Sequence, residues 1–110
     1  MGDRVLFQVV KGKEFSPVVY GHWSGSKAPA VVARLAKRMK GREGDVEYTA
    51  ARLVQELVGD AEGALSFGMW NAKAVLTAED SHGDAGVVLI HAEPGGLRAE
   101  YLGGYLPLDR

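Results

Sequence analysis

The apolar pattern opens as a strand. From Arg4 to Lys11, Val5, Phe7 and Val9 alternate with Leu6, Gln8 and Val10, so both sides of an extended segment are largely apolar and a buried strand is expected. Gly12-Lys13-Glu14 offers a turn. After Pro17 the stretch Val18 to Trp23 is again β-branched and aromatic, and two strands this close in sequence are expected to pair as a hairpin.

The period then changes. From about Ala28 to Lys40, Val31, Val32, Leu35, Ala36 and Met39 form one helical stripe, while Arg34, Lys37, Arg38 and Lys40 take the remaining surface. Pro29 suits a first helical turn, Ser26 or Lys27 falls near the cap, and Gly41 and Gly44 are stop signals. Asp45 is placed to cap a second helix, with Glu47 in its first turn and Val46, Ala50, Leu53, Val54 and Leu57 as its apolar face, ending at Gly59. The short connection predicts that the two helices lie side by side on one face of the sheet.

From Ala64 onward strands are expected over Leu65–Trp70, Lys73–Glu79, Val87–Glu93 and Leu97–Leu102. The separators Asn71-Ala72, Asp80 to Gly86 and Pro94-Gly95-Gly96 carry turn chemistry, and the spacing predicts an antiparallel meander. The tail from about Gly103 has no period. The expectation is therefore a single α+β domain over residues 1–110: an antiparallel sheet, elements in the order ββααββββ, with two helices packed on one face.

Composition narrows the classes. With 110 residues and 46% apolar content there is material for one core. The chain has no cysteine, which excludes disulfides, thiolate metal sites and a cysteine nucleophile. Its longest strictly aliphatic run, Val87-Val88-Leu89-Ile90, falls far short of the roughly 20 residues of a membrane span, and Asp3 and Arg4 interrupt any signal-like start, so a cytoplasmic protein without a membrane partner is expected. Charge is unevenly distributed. Residues 1–42 hold nine Lys/Arg against two Asp/Glu, and residues 43–110 hold four against twelve. Either the halves neutralise one another in space or one of them meets a charged partner.

One segment concentrates candidate chemistry. Tyr20-Gly21-His22-Trp23-Ser24-Gly25-Ser26-Lys27 leaves a strand and enters a helix, where unpaired backbone N–H groups and the side chains of Ser24, Ser26 and Lys27 can hold an anion or phosphate. It lacks the spacing of a nucleotide P-loop or dinucleotide fingerprint. The alternative is that Trp23 packs over the helices and Ser26 caps. His22, His82 and His91 show no zinc-type array, so no metal or cofactor is expected. Ser81-His82-Gly83-Asp84 contains the residue types of a hydrolytic triad but reads as a turn, because triad members are assembled from distant positions. The basic face of Arg34, Lys37, Arg38, Lys40 and Arg42 could follow phosphates, although the acidic half disfavours a long duplex.

The run from Val19 to Pro29, with its Tyr-x-x-His-Trp-x-Gly motif and proline-started helix, resembles a group of small uncharacterised proteins encoded by bacteriophages and prophages. Asp45 to Leu53 looks like that group's second helix, and the likeness runs from about Val18 to Glu93. The resemblance implies a mobile-element accessory protein and carries over no catalytic residue. The leading expectation is a non-enzymatic binding protein acting on a host protein, plausibly in counter-defence. Alternatives are a binder of a small phosphorylated ligand at the His22-to-Lys27 turn, and a hydrolase or transferase pairing His22 with Asp45 or Glu47. A homodimer is conceivable if an edge strand is left unpaired.

Overall fold

The structure, a computed structural model, describes residues 3–59 and 67–107. It is an α+β fold with strands β1 (Val5–Lys11), β2 (Glu14–Phe15) and β3 (Val18–Gly21), helices α1 (Ala28–Arg38) and α2 (Val46–Gly59), and strands β4 (Phe67–Trp70), β5 (Gly86–Glu93) and β6 (Gly96–Leu102). The strands form one sheet in the order β4-β3-β1-β5-β6, with β2 paired to β1 as a small hairpin. All its pairs are antiparallel except one: β1 and β5 run parallel, from Val5 opposite Gly86 to Val10 opposite His91.

Both helices lie on one face, as the patterns predict. Val5, Phe7 and Val9 of β1 and Val88 and Ile90 of β5 meet Val31, Leu35 and Met39 near α1 and Val46, Leu53 and Leu57 of α2 in one core. Asp45 caps α2 as expected, its Oδ1 accepting the Tyr48 N–H at 2.9 Å. α1 stops at Arg38 rather than Lys40, and Gly41 follows in the left-handed region at φ +92°.

Two expectations from the second half are corrected. Lys73–Glu79 is not a strand, and the last strands do not form a meander, because β4 and β5 lie on opposite sides of the β3–β1 pair. β4 is antiparallel to β3 and β3 to β1, so β4 and β5 point the same way. Parallel strands cannot be joined by a tight turn and need a crossover of a dozen or so residues. Residues 71–85 make that crossover over the face away from the helices. Ala72 and Leu76 pack there against Leu6, Val10, Val18, Val87 and Leu89, forming a second, smaller core. The expected strand Leu65–Trp70 begins at Phe67 within the described residues. Gly86 is required where β5 starts, since a Cβ there would stand 2.3 Å from the Leu102 carbonyl oxygen and its φ is +98°.

A buried amide secures the crossover. Gln8 is completely buried on β1, on the same side as Leu6 and Val10. Its Nε2 donates to the carbonyls of Ser16 (3.1 Å) and Ala74 (3.2 Å), and its Oε1 accepts the Leu76 N–H at 2.8 Å. Replacing it with leucine keeps the volume and removes all three bonds. Gln8→Leu is expected to cost about 2–3 kcal/mol in urea unfolding and to speed proteolytic cutting at Lys73; unchanged stability would show that the clamp is dispensable.

Candidate functional site

The segment singled out in the sequence is brought to one end of the sheet, where partners from much later in the chain join it. Tyr20 projects from β3 on the crossover side and forms the hub. Its hydroxyl shares a 2.7 Å hydrogen bond with Nδ1 of His22, and its ring lies 6.1 Å from Trp70 and 5.6 Å from His82 between centroids. With the phenol donating, Nδ1 accepts and the proton of a neutral imidazole sits on Nε2. His22 in turn meets Trp23 edge to face at 4.5 Å and 90°. Trp23 does not pack over the helices: it is 59% exposed.

Arg4 fixes the position of His82. Its Nε donates to Asp84 at 2.7 Å, its backbone N–H reaches the same oxygen at 3.1 Å, and its Nη2 donates to the carbonyl of His82 at 2.9 Å. The 82–84 turn is thereby tied to the start of β1. The ion pair holds the Asp84 carboxyl below its ordinary value, and the Arg4 guanidinium is raised by the same carboxylate. Asp3, Arg4, His22, Trp23 and Asp84 line a cleft of about 180 Å³.

The helix-entry turn already holds an anion, and the anion is Asp3. Its Oδ1 accepts the Ser26 N–H at 2.9 Å and the Tyr105 hydroxyl, its Oδ2 accepts the Ser26 hydroxyl at 3.0 Å, and its backbone carbonyl accepts the Gly25 N–H at 2.9 Å. Gly25 admits this approach, because a Cβ there would lie 2.7 Å from Oδ1 of Asp3 and 2.3 Å from the Ala85 Cβ. Ser24 is buried beneath Gly21, and Lys27 stands at the N-cap position of α1. The segment is thus split: Gly25 and Ser26 are bonded to Asp3, Ser24 is buried against Gly21, and Tyr20, His22 and Trp23 form the cluster.

The basic face is also divided. Arg34 donates from Nε to Oε1 of Glu56 on α2 at 3.0 Å, and Arg38 donates from Nε to Oε2 of the same carboxylate. Those two hydrogen bonds hold the Glu56 carboxyl below its ordinary range despite its burial. Arg42 lies over the Tyr48 ring at 4.0 Å, and Lys37 and Lys40 are exposed. Asp45, proposed above as a partner for His22, instead caps α2 beside Arg42.

His91 donates from Nε2 to Oε1 of the Glu100 carboxylate across the β5–β6 pair at 2.8 Å. Among the described residues no three His, Cys, Asp or Glu side chains gather into a cation-binding group. No helix among them is long and apolar enough to cross a membrane. Sequence reasoning missed His82, Asp84 and Trp70 as members of the cluster. His82 and Asp84 reach Tyr20 and Arg4 through the crossover and Trp70 reaches Tyr20 through the β3–β4 pairing, and no local spacing announces either. Comparisons with protein-family models, with curated proteins and with solved structures find no match.

Burial raises Tyr105 to a pKa of about 12, helped by its hydrogen bond to Asp3 and the nearby Asp3 and Asp84 charges. Folding therefore favours the neutral phenol, a contribution complete below about pH 10 and lost as pH rises toward 12. In an alkaline titration followed by phenolate absorbance, one of the four tyrosines should ionise late, and Asp3→Asn should advance that step. Four steps at the ordinary value in the wild type would refute the buried Asp3–Tyr105 contact.

Proposed function

We propose that the chain is a non-enzymatic binding module whose contact surface is the cluster Tyr20, His22, Trp23, Trp70 and His82, and whose partner is a host protein. The observation that carries this reading is Trp23, an indole 59% exposed and standing on a histidine that is itself fixed by Tyr20. An aromatic held rigid and left in water gives a partner a large contact area with little ordering cost, which is why tryptophan dominates interface hot spots. The resemblance to small phage and prophage proteins supplies the setting: an accessory factor in the host cytoplasm that obstructs a nuclease or other defence complex.

A phosphorylated small-molecule ligand is the weaker reading. The cleft beside His22, about 180 Å³, lies below the roughly 300–1,000 Å³ of ordinary small-molecule sites. Ser26 donates to Asp3 and Arg4 donates to Asp84. A cleft of that size accepts one side chain of a partner. Catalysis has less support still, since the group bonded to the His22 ring is a phenol and Ser24 is buried against Gly21.

Self-association belongs to the same proposal. β6 carries Arg98 and Glu100, charges that discourage edge-to-edge pairing, whereas Phe67-Gly68-Met69-Trp70 of β4 carries none, and Met69 and Trp70 are exposed. Light scattering is expected to report a dimer that Met69→Lys dissociates; a monomer across about 10–200 µM would exclude the β4 edge as a dimer contact.

For the main reading, immobilised wild-type chain should retain a stoichiometric protein from host lysate, and Trp23→Ala and His82→Ala should each lower retention about tenfold or more while melting like the wild type. Equal capture by Trp23→Ala, or no stoichiometric protein at all, would overturn it.

A further inference from the structure

The outer seam between α1 and α2 gathers arginines from three places. Arg34 and Arg38 stand about 6 Å apart along α1, Arg42 lies in the connection that follows, and Tyr48, Arg52 and Glu56 recur at four-residue steps on α2. Glu56 receives both Arg34 and Arg38, while Tyr48 has the guanidinium carbon of Arg42 at 4.0 Å from its ring centroid and that of Arg52 at 4.7 Å. Arg34 and Arg38 thus share the buried Glu56 carboxylate, and Arg42 and Arg52 share the Tyr48 ring, with Asp45 4.0 Å from Arg42 at the rim. An open groove of about 410 Å³ lies over Arg34, Lys37, Arg38 and Glu56. Arg42 is 58% exposed and Tyr48 38%.

We infer that this seam binds single-stranded nucleic acid. Arg34 and Arg38 are held by Glu56, and Arg42 and Arg52 by the Tyr48 ring, so they meet phosphates with less side-chain freedom left to lose. The Arg42–Tyr48–Arg52 stack adds flat, cationic surfaces on which an unstacked base can lie. A duplex offers the seam phosphates but keeps its bases stacked, so the Arg42–Tyr48–Arg52 stack has no base to hold. An acidic peptide satisfies the arginines and leaves the stack without a planar partner. This surface is separate from the Trp23 cluster, so either proposal can fail without the other.

The test is fluorescence anisotropy with a labelled oligothymidylate of about 12 nucleotides, titrated with the full chain at several salt concentrations. Wild type should bind with log affinity falling against log salt at a slope near −2, as about three neutralised phosphates require. Arg42→Ala/Arg52→Ala should weaken binding about tenfold or more and lower the slope by about 1.4. Tyr48→Leu should weaken binding and leave the slope unchanged, since it removes a stacking contact and no charge. The Glu56 ion pairs are untouched in both variants; should either melt early, Lys37→Ala/Lys40→Ala at exposed positions reads the same salt slope. Absence of binding at about 50 mM salt, an unchanged affinity in the arginine double variant, or equal competition by polyglutamate would overturn the inference, the last in favour of an acidic protein partner.

Discussion

The side-chain amide of Gln8 sits inside the molecule on the central strand, and both its polar atoms need partners there. β1 is flanked by β3 and β5 and is covered on one face by helices, so the amide can find partners only on the other face. It finds them in Ser16, Ala74 and Leu76. Two of these belong to the crossover between β4 and β5. A strand pattern that is apolar on both sides demands two covering layers, and only one is helical. The second is an irregular segment whose few apolar residues, Ala72 and Leu76, could not by themselves hold it down. The hydrogen bonds to a buried side chain, strong because water is excluded, supply what the small apolar contact lacks.

The proposed contact surface depends on that fastening. Once residues 71–76 are fixed on the sheet, the chain arrives at Ser81–Asp84 beside the start of β1, where Arg4 grips Asp84 and the His82 carbonyl. His82 then faces Tyr20, which is 62 residues earlier in the chain. Charge follows the same geometry. The basic first half and acidic second half are stitched together by Arg4–Asp84 and by Arg34 and Arg38 on Glu56, so much of the sequence asymmetry is neutralised across the fold. On the same seam Arg42 and Arg52 stack on the Tyr48 ring, with Asp45 4.0 Å from Arg42.

Local physics was legible where a periodic stripe or a cap decides the outcome. The β1 block, both helices, the Asp45 cap, and β5 with β6 follow from apolar spacing and terminal residues. Lys73–Glu79 was misread because Ala74 and Val75 suggest a strand. Its inward residues, Ala72 and Leu76, are four apart rather than two, and Thr77-Ala78-Glu79-Asp80 carries the spacing of a capped turn, with the Thr77 N–H on Asp80 at 2.7 Å. The parallel β1–β5 pair was hidden for a different reason: strand order is a tertiary property, and a hairpin-like spacing of strands does not reveal which ones become neighbours. Within the site, Tyr20, His22 and Trp23 stood out as one motif, but the partners that orient them come from the crossover.

The His22-to-Lys27 turn shows how a correct local reading can still point the wrong way. A strand-to-helix turn with serines and a glycine does attract an anion, and Ser26 offers both a backbone and a side-chain donor for one. The chain places its own Asp3 carboxylate there and backs it with the Tyr105 hydroxyl, with Gly25 leaving the space. A second anion would have to displace a carboxylate that makes three hydrogen bonds and is tethered next to Arg4, which is itself paired. In the proposed binding mode, contact at this end of the sheet rests on groups that need no counter-charge: an exposed indole, an imidazole bonded to a phenol, and a second imidazole across the Tyr20 ring. Such a surface suits a partner that brings apolar area and hydrogen-bond acceptors, and the proposed binding of an anionic ligand rests instead on the arginines along the helix seam.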